Sequence, residues 1–159
     1  MRSSFLIATA LALLAAPATA QGTTCPIAGI ATQDLGAGCG FGLPATLALG
    51  WNASTCSLDV DVTAFACCNT FVTSHWLGAG VALTGPLALN EPWLPGCDLL
   101  ILPLALAGPF QGTTSSLAIP PNPVLVGLTI DFQAYPVYFT TIGLTTDLGA
   151  TQAVRVTFN

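Results

Sequence analysis

Few side chains in this sequence are equipped for chemistry, and their spacing limits what that chemistry can be. His75 is the only histidine. Ser74 precedes it, but neighbours on an extended strand point to opposite faces, so the two do not form a nucleophile–base pair. No G-x-S-x-G elbow presents another serine, and His75 reads as a polar surface residue. The six cysteines are Cys25, Cys39, Cys56, Cys67, Cys68 and Cys97. An even number in an exported chain reads as three disulfides, which removes them as nucleophiles. Cys67, Cys68, His75 and Cys97 suit zinc by ligand type, but their spacing matches no standard zinc site.

Asp59 and Asp61 are two residues apart on one strand face, where they could share a Ca²⁺ with loop carbonyls. The plainer reading is the wetted side of an alternating strand. Trp51, Trp76 and Trp93 are the candidate ligand contacts. Trp93 stands in the Pro-rich stretch Glu91-Pro92-Trp93-Leu94-Pro95, where an indole either meets a carbohydrate or plugs one end of a core; the plug is the favoured reading. A glycosidase would need two carboxyl groups flanking a cleft, and nothing in the spacing brings Glu91 and an aspartate together. Asn52-Ala53-Ser54 is a glycosylation sequon, relevant only in a host that glycosylates. No cofactor is implied, and no catalytic role is expected.

The elements that must position these residues are strands. Gly and Pro number 16 and 12 and recur every few positions, leaving no window for an amphipathic helix after the first 20 residues. Ser57 to Ala66 alternates, with Leu58, Val60 and Val62 against Asp59, Asp61 and Thr63. Leu125 to Tyr135 sets Val126, Leu128, Ile130 and Phe132 against Thr129, Asp131 and Gln133. The last run sets Val154, Val156 and Phe158 against Arg155 and Thr157. Further candidates are Thr46–Trp51, Thr70–Trp76, Gly80–Thr84, Asp98–Leu104, Ser115–Ile119 and Val137–Thr141. Gly78, Gly80, Gly85-Pro86, Pro95-Gly96, Gly108-Pro109 and Pro120–Pro123 are expected to separate them. Leu99 to Ala107 reads as a buried strand. Eight or nine short strands imply an all-β fold, a disulfide-stabilised antiparallel β-sandwich.

Around that domain, the chain opens with Met1-Arg2, an apolar run from Phe5 to Ala16 and Ala18-Thr19-Ala20, the order of a secretory signal peptide. The expected organisation is 1–20 leader, 21–44 Gly/Cys-rich irregular arm and 45–159 sandwich. No later segment is a continuous apolar membrane span. Cys67 and Cys68, on opposite faces of a strand, are expected to have different partners. Cys25 with Cys39 would close a short loop, and Cys97 with one of the vicinal pair a long one. The Gly-rich arm has neither a following helix nor a lysine with which to hold phosphate.

Three stretches resemble a module of secreted proteins from planctomycetes and similar bacteria. They are Pro95-Gly96-Cys97-Asp98-Leu99-Leu100, then Ile119-Pro120-Pro121-Asn122-Pro123-Val124-Leu125-Val126-Gly127 leading to Phe132-Gln133-Ala134, and Gly143-Leu144-Thr145 before the last strand. The family pattern lacks the extra Pro121 and tends to have Ser-Asn near Thr145-Thr146-Asp147. The resemblance implies an exported β-rich domain and brings no activity with it.

Charge then narrows the partners. Only 6% of residues are charged, there is no lysine, and the two basic residues are Arg2 and Arg155. Without Arg2 the formal net charge falls from −5 to −6. A nucleic-acid partner is excluded, because phosphate binding needs clustered cations. Edge strands are usually guarded by lysines and other charges, so an unguarded edge open to strand addition is expected here. The expected role is an extracellular or cell-surface structural or adhesive subunit. Its partners would be copies of itself or a cell-surface component, with residues 21–44 as a possible donated segment. A secreted carbohydrate- or ligand-binding module is the alternative.

Overall fold

The computed structural model describes residues 24–40, 43–64, 70–89, 97–141 and 145–159. The expected leader, Cys67, Cys68 and Trp93 lie outside them. The described chain is all β: β1 (Ile30–Leu35), β2 (Thr46–Asn52), β3 (Ser57–Thr63), β4 (Thr70–Leu89), β5 (Cys97–Gln111), β6 (Thr114–Ala118), β7 (Thr129–Thr140), β8 (Thr145–Leu148) and β9 (Ala153–Phe158), with one 3₁₀ turn at Pro123–Leu125. The larger sheet runs β1-β9-β7-β4-β5, with β8 also on β7; the smaller runs β2-β3-β6. Every strand pairing within the sheets is antiparallel. Among the described residues no helix is long and apolar enough to cross a membrane.

The core lies between the sheets, and alternation explains its composition. On β3, Leu58, Val60 and Val62 are buried while Asp59, Asp61 and Thr63 are exposed. They meet Ile130, Phe132 and Ala134 of β7 and Val154, Val156 and Phe158 of β9. Burial of these apolar faces drives the two sheets together.

Three elements differ from the sequence reading. Residues 30–35 are not an irregular arm, because β1 pairs with β9 from Ile30–Phe158 to Leu35–Ala153. Glycines and prolines expected to end strands lie inside β4 and β5, which run 20 and 15 residues. The two accommodate them through register shifts at His75/Leu77, Ala79/Gly80 and Ala82/Leu87, as bulges do. Gly80 is required at the second shift, since a Cβ there would collide with the Leu102 carbonyl. Val126 is exposed rather than inward, because Asn122 Oδ1 accepts from the Val124 amide and starts a 3₁₀ turn that buries Leu125 instead.

The polar side of β7 is also buried. Beyond Gly80 the β4–β5 hairpin leaves β7's ladder, and its backbone is held by β7's outward side chains. The Ala82 amide donates to Asp131 Oδ2 (2.7 Å) and the Leu100 amide to Gln133 Oε1 (3.1 Å). Ile101 is fully buried there, outside the main core.

Candidate functional site

His75 is fully buried, not on the surface. It sits on the core-facing side of β4, stacked at 5.3 Å on Phe110. Nδ1 is 2.9 Å from the Gly112 carbonyl and Nε2 is 2.9 Å from Ser115 Oγ. A carbonyl only accepts, so Nδ1 carries the proton and Nε2 accepts from the Ser115 hydroxyl. A serine donating to a histidine is the geometry of a nucleophile and its base. Ser115 registers opposite Val60, whose side chain is in the core. The pair bridges the two sheets from within.

The outer face of the smaller sheet carries a cleft of about 570 Å³ lined by Ala48, Gly50, Asp59, Asp61, Thr114 and Ser115. Asp59 accepts from Ser116 Oγ at 3.0 Å. Ca²⁺ takes about 6–8 oxygen ligands. Among the described residues no third His, Cys, Asp or Glu joins these two carboxylates in a metal-holding group. Arg155, the one basic residue outside the expected leader, is committed to Asp131 through Nε–Oδ1 (2.8 Å) and Nη2–Oδ2 (3.1 Å). The hydrogen bond and charge of Asp131 raise the guanidinium pKa further.

The tryptophans do not converge. Trp51 donates Nε1–H to the Ile27 carbonyl (3.1 Å) and meets Phe158 edge-on at 6.0 Å. It closes one end of the core, the role expected of Trp93. Trp76 lies between the inward His75 and Leu77, so it is on the outer face of the larger sheet, opposite Tyr135 in register. Tyr135 packs over Gly78, and burial pushes its hydroxyl pKa up to about 12.

The cysteines pair as Cys25–Cys56 and Cys39–Cys97. Neither Cys25–Cys39 nor a bond from Cys97 to the vicinal pair forms. The expectation that Cys67 and Cys68 have different partners falls outside the described residues. Cys39 bridges Ala150 and Cys97 begins β5, so this bond fastens the folded-over hairpin to the segment between β1 and β2 beside the β8–β9 connection.

The strand edges are guarded unequally. β2 is capped by a side chain: Gln152 Oε1 accepts from the Leu47 amide and Gln152 Nε2 donates to the Leu47 carbonyl, both at 3.0 Å. β1 carries four exposed residues in a row, Asp34 among them. β6 has five residues. β5 is the opposite edge of the larger sheet, where the sequence predicts a buried strand. It presents Leu102, Leu104 and Leu106 at 49%, 49% and 59% exposure. No charged residue occurs from Leu99 to Gln111; the edge is interrupted by Pro103 and Pro109 and by the register shifts that leave Leu104 and Gly108–Pro109 out of the β4 ladder. The missed signal was the prolines, which strands tolerate at edges and not at centres. Compared with protein-family models, with curated proteins and with solved structures, the chain matches none.

Proposed function

We propose that this chain is an exported, non-enzymatic structural or adhesive subunit that associates with copies of itself through an open β-edge. The observation that carries the reading is β5, an edge strand without a charged residue from Leu99 to Gln111 and with three half-exposed leucines, in a molecule whose other large-sheet edge carries Asp34. An unpaired edge offers backbone donors and acceptors to another strand, and exposed leucines add apolar burial. Export is supported by the leader-like start, the two disulfides and the resemblance to secreted bacterial modules. The inward-facing Ser115–His75 pair supports a role without catalysis.

Light scattering with negative-stain microscopy on the oxidised protein tests this. Association is expected to rise with concentration and to survive high salt, because the Leu99–Gln111 edge has no charge to form a screenable ion pair. Leu104→Lys with Leu106→Lys is expected to return the protein to monomer. A monomer at every concentration and salt would overturn self-association and leave a binding module as the better account.

A further inference from the structure

We infer that residues 24–40 exchange between two copies as they fold, each copy seating this segment on the other and closing both disulfides between chains. The exchange does not use the β5 edge. Its occupant is visible in the fold itself: the site is filled by the chain's own segment, and that of a second copy is identical.

The segment grips the rest of the molecule as a separate part would. Ile27 is fully buried in the core, and its carbonyl accepts from Trp51 Nε1. The Ala28 amide donates to the Asn159 carbonyl (2.7 Å) and the Asn159 amide to the Gly29 carbonyl (2.9 Å). β1 then lies on β9 over six residues, four of them exposed. Cys25 and Cys39 flank β1 and bond to Cys56 and Cys97. All of these partners follow residue 45, so residues 40–45 alone connect the segment to the body it grips. A second copy offers the same Ile27 pocket, the same β9 edge and the same two thiols. Exchange repeats each contact and alters only the connection.

The connection favours opening. Cys39 and Ala45 bridge the adjacent residues Ala150 and Thr151, so the chain between them turns back on itself. Gly40 has no room for a Cβ against the Leu43 carbonyl. Exchange extends this reversal, and tight hinges promote swapping. From Cys39 to Ala45 the extended chain reaches about 20 Å. Two domains meeting at this point satisfy that reach. A file of domains, each with a radius of gyration of about 14 Å, does not, so the exchange is reciprocal and closes at two. A monomer whose bridges have closed is held at both ends of β1. The outcome is therefore settled while the chain oxidises, and exchange rises with its concentration at that moment.

The test exports two full-length copies together from one cell, one with Thr32→Ser and the other with Thr55→Ser. Both positions are exposed, and serine keeps the hydroxyl. The digest is unreduced and leaves Cys25 with residue 32 and Cys56 with residue 55. A Cys25–Cys56 bond within one chain gives a peptide pair lighter than the parent by one methylene. A bond between the two different copies gives pairs lighter by none or by two. In the dimer that survives denaturant without reductant, these last two are expected together to equal the first; the monomer should hold only the first. A dimer holding only the first, or no such dimer, rules out exchange. Association by light scattering would in that case leave the β5 edge standing as the contact. The Leu104→Lys, Leu106→Lys protein should exchange unchanged, and loss of exchange there would tie it to β5 instead.

Discussion

His75 shows how far a single residue can depart from its local sequence. Flanked by Thr73, Ser74 and Trp76, it has the look of a surface position, yet its partners are Gly112 and Ser115, 37 and 40 residues away. Their arrival on the same side of the core is a property of the β4–β5–β6 path, which local polarity does not report. His75→Ala removes both hydrogen bonds and leaves a cavity beside Phe110, so it should lower unfolding free energy by about 2–4 kcal/mol. A urea melt measures this; an effect within about 0.5 kcal/mol would mean a surface histidine after all. Tyr135 gives a second residue-scale test through pH. Its unfolded hydroxyl titrates near 10 and its folded one near 12 because burial disfavours the phenolate. The unfolded chain loses its proton first, so this contribution is complete below pH 10 and disappears as pH rises through 12. Tyr135→Phe should make the alkaline loss of stability shallower, read as urea midpoints at pH 9 and pH 11.

The elements that were legible are those with one wet face. β3 alternates as read, because the smaller sheet's outer face is solvated and each aspartate marks it. β9 keeps the same inward set, Val154, Val156 and Phe158. β7 has the same pattern and a different outcome, since its polar side is roofed by the β4–β5 hairpin. Gln133 there is fully buried and satisfied: it accepts from the Leu100 amide and donates to the Asp98 carbonyl (3.2 Å) and the Thr151 carbonyl (2.9 Å). Three stretches distant in sequence meet at one carboxamide, and periodicity within any of them carries no trace of that meeting. β5 was misread for a related reason, as an apolar run looks the same whether both faces are covered or the strand ends a sheet. Gln133→Leu keeps the volume and strands three backbone groups, each worth about 1–3 kcal/mol when buried without a partner. The expected result is a loss of several kcal/mol, with amide exchange at Leu100 and Ala82 rising before that of β3. Equal rises across both sheets would mean that Gln133 does not hold the hairpin separately.

At the scale of the whole molecule, one disulfide joins the two sheets and the other ties together parts of the larger one. Cys25–Cys56 ties the segment before β1 in the larger sheet to the β2–β3 turn of the smaller one; Cys39–Cys97 fastens the segment after β1, bridged to Ala150 before β9, to the start of β5 in the hairpin. The count of six was readable and the pairing was not, because pairing is decided by which loop ends the topology brings together. The short Cys25–Cys39 loop looked natural only while residues 21–44 were an arm. Once β1 is a strand of the larger sheet, it carries Cys25 and Cys39 to different places. The bridges close 31 and 58 residues of sequence separation, and loop-closure entropy assigns each about 4 kcal/mol. For a domain with total stability of about 5–15 kcal/mol, losing both amounts to losing much of the fold. Peptide mapping without reduction should recover Cys25 linked to Cys56 and Cys39 linked to Cys97. Cys39→Ser with Cys97→Ser should destabilise the chain by a few kcal/mol and leave the β2–β3–β6 amides protected, since that bond lies wholly on the other sheet. A Cys25–Cys39 linkage in the native protein would contradict the placement of β1, and with it the account of which edges this molecule leaves open.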